Sequence, residues 1–201
     1  FMAEGKHRIL YLTGRARPGG AETFLLRLLE LHDRGLFEPH VIVGEKGPLV
    51  SQLHDIGAIV RFQAIPAWRK PRCWPVLPFQ ILRMIRYAKA NSIDMIIAND
   101  FWHFPHAWRA ARYTGVPAVS FVHESKIDIR RVGIYNLPQA AGIIVLTEFM
   151  KKTLGGAVAD KVVVCPAAIP IPEKPIDKKS ARNLLGLGCD EFVVGMAGAI
   201  N

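Results

Sequence analysis

Four short stretches of this chain hold the groups able to do chemistry: Arg15-Ala16-Arg17-Pro18-Gly19-Gly20-Ala21-Glu22, Asn99-Asp100 with His103, His123-Glu124, and Thr147-Glu148. The first is the most informative. A glycine pair lets backbone amides approach a ligand that any Cβ would block. A helix starting directly behind it adds unpaired N–H groups and a partial positive charge, so a phosphate or carboxylate can rest against the turn. The same glycines also suit a plain strand-to-helix turn, and the turn alone does not choose between the two readings.

These stretches need a frame, and the apolar pattern supplies one. Strand-length runs recur at Ile9 to Leu12, Val41 to Val43, Ile59 to Phe62, Met95 to Ala98, Ala118 to Val122, Ile143 to Leu146 and Val162 to Val164. Continuous runs, without strict alternation, indicate strands buried on both faces. Helical patterns lie between them: about Ala21 to a stop near Gly35, Leu49 to Ile56, Val76 to Asn91, His106 to Thr114, and Glu148 to Leu154 with Thr147 as N-cap. Strand and helix in strict alternation predict an α/β fold, a three-layer, Rossmann-like, doubly wound parallel sheet whose ligands bind at the carboxyl ends of the strands. All four chemical stretches fall on that one rim, which makes it the candidate site.

Past Val164 the prolines 166, 170, 172 and 175 read as a stiff linker. Lys178 to Leu185 follows as a short helix, and Phe192 to Gly198 as another buried strand running into a glycine turn. A lone strand cannot make a domain, so the expected organisation is a domain over residues 1–172 and, over 173–201, the linker and first elements of a second Rossmann-like domain. Phe1 ahead of Met2 reads as a vector-derived residue.

Composition narrows the class further. Cys73, Cys165 and Cys189 are odd in number and lack Cys-x-x-Cys or Cys/His ligand spacing, which disfavours a disulfide framework or structural metal and fits a reducing cytoplasm. Neither a signal pattern nor an apolar run of about 18 residues is present. The net charge is +9, and its placement matters more than its size. No acidic residue occurs between Asp55 and Asp94, where Arg61, Arg69, Lys70, Arg72, Arg83, Arg86 and Lys89 interleave with Trp68, Trp74, Phe79 and Tyr87. Such a segment, 61–89, suits an anionic membrane surface. A solvated helix face has the same composition, and nucleic acid, which would use the same charges, is disfavoured.

Taken in order, Pro18-Gly19-Gly20-Ala21-Glu22, Asn99 to His103, Pro117 to His123-Glu124, Val145 to Glu148, Lys161 to Pro166, Ala181-Arg182 to Leu187 and Asp190 to Gly195 resemble the N-terminal half of a retaining GT-B glycosyltransferase of carbohydrate-enzyme family 4. The resemblance implies two facing Rossmann-like domains. It also implies sugar transfer from a nucleotide-diphosphate sugar to a glycan or lipid-linked acceptor, with retention and without a metal or other cofactor. Cell-envelope polysaccharide, lipopolysaccharide or glycolipid synthesis would be the setting, in the cytoplasm or at the inner face of the membrane. It assigns Gly19 and Gly20 to the donor diphosphate, His123 to the reacting sugar as catalytic residue, and Glu22, Asn99, Asp100, His103 and Glu124 to substrate hydroxyls. It further implies that these 201 residues alone transfer little sugar. One departure stands out: Pro166-Ala167-Ala168 replaces the family's Pro-Asn-Gly, and Ala-Ala does not tolerate the positive φ of an Asn-Gly turn.

Two rival classes start from the same turn. A nicotinamide-dependent oxidoreductase wants Gly-x-Gly-x-x-Gly and an acidic residue after the second strand; Glu45 supplies the acid, but Gly14, Gly19 and Gly20 have the wrong spacing. A noncatalytic carbohydrate- or membrane-binding module is the other.

Overall fold

The computed structural model describes residues 5–17, 19–125, 127–154, 156, 158–167, 176–188 and 191–194. By compactness the chain divides into Phe1–Ala168 and Ile169–Asn201. In the first unit seven parallel strands, β1 (His7–Thr13), β2 (Phe37–Val43), β3 (Ile59–Phe62), β4 (Met95–Ala98), β5 (Ala118–Val122), β6 (Gly142–Val145) and β7 (Val162–Val164), form one sheet in the order β3-β2-β1-β4-β5-β6-β7. All seven expected strands are present. The chain winds outward from β1 to β3, then returns to lay β4 against the other side of β1, pairing Ile9 with Met95 and Leu12 with Ala98. Order reverses between β1 and β4, and at such a switch the loops diverge and leave a crevice.

Successive side chains of a strand face opposite sides, and the two cores follow that alternation. Leu10, Leu12, Ile42, Ile96 and Ala98 pack with Met84 and Ala88 of α3 (Leu77–Ala90) and with Ala107, Ala110 and Ala111 of α4 (Phe104–Thr114). Tyr11, Val41, Val43 and Ile97 pack on the other face with Leu25 and Leu29 of α1 (Gly20–Leu31) and Leu49 and Leu53 of α2 (Pro48–Asp55). Full burial of each such leucine is worth roughly 1.5–3 kcal/mol. The alanines of α4 let α3 lie close.

Helix ends follow local chemistry. α1 stops at Leu31, short of Gly35, because Asp33 Oδ1 accepts the Gly35 N–H at 2.7 Å and the Asp33 carbonyl accepts those of Leu36 and Phe37, which turns the chain first. α5 (Ile129–Ile134), absent from the sequence pattern, is capped by Asp128 Oδ1, which accepts the Arg130 N–H at 2.9 Å. α6 (Glu148–Leu154) has the expected cap, Thr147 Oγ1 accepting the Met150 N–H at 3.2 Å. No helix of the described residues is long and apolar enough to cross a membrane.

In the second unit, Asp177 caps α7 (Lys178–Leu184) by accepting the Lys179 and Ser180 N–H groups, both at 3.0 Å. Of the strand expected over 192–198, Phe192 to Val194 carry no strand, and 195–198 lie outside the described residues, as do Ala168 and the prolines 170, 172 and 175.

Candidate active site

The crevice at the switch point is a cleft of about 970 Å³. Its floor is the turn between β1 and α1. Gly14 lies flat against the His103 ring, into which a Cβ would run, and a Cβ on Gly44 would lie 2.6 Å from the Gly14 carbonyl oxygen. The β2–α2 loop therefore props the turn from below. Glu45 completes the support: its Oε1 accepts the Ala16 N–H at 3.1 Å.

Pro18 lies outside the described residues. Beyond it, Gly19 is the N-cap of α1, extended at φ −157°, and no side chain caps the helix. Thr23 N–H donates to the Gly19 carbonyl at 2.9 Å, and the N–H groups of Gly20, Ala21 and Glu22 meet no acceptor among the described residues. The two glycines then differ. A Cβ on Gly19 would approach Glu22 Oε2 to 2.5 Å, whereas a Cβ on Gly20 would touch nothing within 4 Å. Gly20 thus lines the cleft with open space beside its Cα and an N–H that has no acceptor among the described residues. Glu22, mostly buried in the first helical turn, places its charge where the helix dipole favours it.

The loops after β4 and β5 form the opposite wall, and adjacent residues there face opposite ways. Asp100, His103 and Glu124 line the cleft. Asn99 and His123 stand behind its wall: Asn99 Nδ2 donates to the Ala21 carbonyl at 3.1 Å, and His123 Nε2 donates to the Asn99 carbonyl at 2.8 Å. His123 also stacks on Phe121 at 5.9 Å between ring centres and meets the Phe24 edge-on at 5.4 Å. Burial lowers its pKa, so the neutral ring keeps its proton on Nε2 and leaves Nδ1 as an acceptor. The Asn99–Ala21 bond fixes the first turn of α1 against the end of β4.

Burial pushes the Asp100 carboxyl up to about 7, opposed by the Trp102 N–H it accepts at 3.2 Å and reinforced by the charges of Glu124 and Glu22. Arg131 Nη1 holds Glu124 at 3.3 Å. Thr147 and Glu148 fall beyond the cleft lining.

Arg15 flanks the turn as part of the stretch read from the sequence. The residues that sequence reasoning missed come from elsewhere on the rim: Trp68, Arg69 and Lys70 arrive on the loop after β3, and Trp102 and Tyr135 form an aromatic wall. Arg69 lies 5.1 Å above the Trp102 ring and Arg131 5.4 Å from it, and Trp102 meets Tyr135 edge-on at 5.0 Å. The signal for Trp68 to Lys70 was their place after a strand; their charge drew them instead into the lipid-facing segment.

Burial lowers His103, in the cleft wall, to about 4, and His106, outside the lining, to about 3. His106 is fully buried against the Trp68 edge, and neither ring nitrogen has a partner among the described residues. A histidine neutral in the fold but protonated when unfolded loses stability as pH falls below about 6.5. His106→Phe therefore gains about 2–3 kcal/mol more over the parent at pH 4.5 than at pH 7.5, as read from urea midpoints; an equal gain at both would show that the ring is not held neutral.

Residues 18–171 match Glycosyltransferase Family 4. No curated protein sequence matches the chain. Among solved structures, HepE of Anabaena in complex with UDP is similar with a TM-score of 0.70 at 20% identity, over 89% of this chain and 50% of that one. A glycosyltransferase of Rickettsia africae gives 0.69 at 16%, over 92% and 51%. MurG of Acinetobacter baumannii gives 0.61 at 15%, over 85% and 48%. The chain spans about half the length of these structures, and the likeness is one of fold.

Proposed function

The chain belongs to Glycosyltransferase Family 4, and from that premise we propose that it forms the acceptor-side half of an enzyme moving a sugar, with retention, from a nucleotide-diphosphate donor to a glycan or lipid-linked acceptor. Synthesis of cell-envelope polysaccharide, lipopolysaccharide or glycolipid at the cytoplasmic face of a membrane is the setting we favour. One observation carries this reading: the start of α1, where the Gly20 N–H has no acceptor among the described residues, lines a cleft whose other wall holds Asp100, His103 and Glu124.

Each wall suits one half of the reaction. As the bond to the donor sugar breaks, charge grows on the departing diphosphate, and fixed N–H donors stabilise it without reorganising. Gly20 and Ala21 supply those donors, with Gly19 giving room and Arg15 opposite charge. Asp100, titrating near 7, can accept or return the proton of an acceptor hydroxyl. Glu124 and His103 offer further hydrogen bonds, and Glu22 closes the near side. His123, behind the cleft wall, serves as a positioning residue: it holds the Asn99 carbonyl, and Asn99 in turn holds the first turn of α1. HepE has been solved with UDP and with UDP-glucose, which fits a nucleotide-sugar donor. The oxidoreductase reading gives way to the family match, and one oxygen of its acid, Glu45, is taken by the Ala16 amide.

Titrating the ¹⁵N-labelled chain with UDP and with inorganic pyrophosphate tests the seat. The Gly20 and Ala21 amide signals move with both, in a saturable way at millimolar concentration, and stay in place with glucose. Unmoved signals at those two amides would remove the donor seat and the proposal with it.

A further inference from the structure

Beside the cleft lies a second concavity with the opposite character. Between α3 and α4 runs a groove of about 580 Å³, within the ~300–1,000 Å³ range of small-molecule sites. Trp74, Leu77, Ile81, Leu82 and Ile85 line it from one side, Tyr113 from the other. Trp74 and Tyr113 are more than half exposed, an arrangement that costs free energy in water unless something apolar covers it. Its charged members, Lys89 and Arg109, are both cations, and Arg109 lies 3.9 Å above the Trp68 ring.

Trp68 lines both the groove and the cleft. On the cleft side of that indole the lining includes the cations Arg69 and Lys70 and the carboxylates Asp100 and Glu124. The two adjoining concavities therefore offer apolar, cationic and hydrogen-bonding surface. Those are the needs of an amphiphile made of a hydrocarbon chain, a phosphate and a polar head.

We propose that the groove between α3 and α4 holds the hydrocarbon chain of a lipid-phosphate acceptor, with its phosphate at Arg69 and Lys70 and the group to be glycosylated in the cleft. The assignment rests on the transferase reading and narrows its acceptor from glycans in general to lipid phosphates. Charge complementarity favours this occupant. Cations stand where an anionic linkage would lie, and the segment from Ile56 to Ile93 contributes no carboxylate to repel it. The groove is concave and shares Trp68 with the cleft, which suits one chain entering lengthwise more than a flat membrane surface.

Farnesyl phosphate below its micellar concentration is the probe, with farnesol and inorganic phosphate as its two halves and phosphatidylglycerol vesicles as a bilayer. By calorimetry farnesyl phosphate binds the chain saturably, and each half binds at least tenfold more weakly. Leu82→Glu and Trp74→Glu, both at exposed positions, each weaken farnesyl phosphate at least tenfold with unchanged circular dichroism. Arg83→Glu with Arg86→Glu, outside the groove, leaves it unaltered. Unchanged farnesyl phosphate binding in both groove variants overturns the proposal. So does binding confined to vesicles and lost in the double arginine variant, which would make the face a membrane contact, or a dimer dissolved by Leu82→Glu, which would make it a protein interface. The pyrophosphate response of Gly20 and Ala21 reports separately. If it persists while farnesyl phosphate fails to bind, only the groove assignment falls; if it is absent while farnesyl phosphate binds, the groove stands and the transferase reading falls.

Discussion

Replacing Gly20 with proline leaves the fold as stable as the parent and slows sugar transfer about a hundred- to a thousandfold, the usual cost of deleting one donor to developing charge. Gly20 is the first residue of α1, where proline is at home because its missing N–H is one the helix does not use. The residue before a proline must be extended, and Gly19 already is, at φ −157° and ψ 171°. Gly20→Pro therefore removes one amide hydrogen and adds ring carbons on the cleft side, both at no cost to the helix. Gly20→Ala sharpens the test. Its Cβ would enter open space, so the fold gains about 0.4–1 kcal/mol from a stiffer unfolded chain, and transfer still falls because the methyl group stands where the diphosphate must come. Melting temperatures and release of nucleotide diphosphate, measured on the protein that carries this chain together with its donor-binding half, give both readings. Full activity in Gly20→Pro would mean that the amide never meets the donor.

How much of this was legible beforehand depends on whether the cause is local. The strands were legible because a sheet covered on both faces needs unbroken apolar runs, and Val41 to Val43 or Ala118 to Val122 can be little else. α5 escaped because six residues carry too little period, although Asp128 two residues before Arg130 was a cap in plain view. Strand order was not legible. Nothing in Met95 to Ala98 states that it will lie beside β1, yet that pairing makes the crevice. The site was half legible for a related reason. Asn99-Asp100 and His123-Glu124 stood out as polar pairs, but consecutive residues at a strand end face opposite ways. Asp100 and Glu124 line the cleft while Asn99 and His123 brace it. Trp68, Arg69 and Lys70 reach the cleft only through the position of β3, so their charge and rings pointed the sequence reading toward lipid. The groove beside them joins the two views, since it places an apolar chain where the sequence suggested a membrane.

Asp100→Asn stabilises the fold above pH 7 by about 2 kcal/mol, within the range of single stabilising changes, and slows transfer by at least about a hundredfold, as loss of a general base does. Burial raises this carboxyl from 3.8 to about 7, with Glu124 and Glu22 adding to the rise. Between those values the folded chain binds a proton that the unfolded chain does not, so stability falls as pH climbs through the interval and the whole cost is present above it. Asparagine removes the charge and keeps an oxygen to accept the Trp102 N–H, so the cap survives. The variant's advantage is accordingly full at pH 8 and gone by about pH 4, where the parent carboxyl is neutral in the fold and half-neutral when unfolded. Urea midpoints at the two pH values measure this directly. A gain that does not change with pH would trace to packing and not to charge, and a variant that transfers as fast as the parent would show that no proton passes through Asp100. A carboxylate kept in a site at a cost to the fold, and needed by the reaction, is where stability and function part.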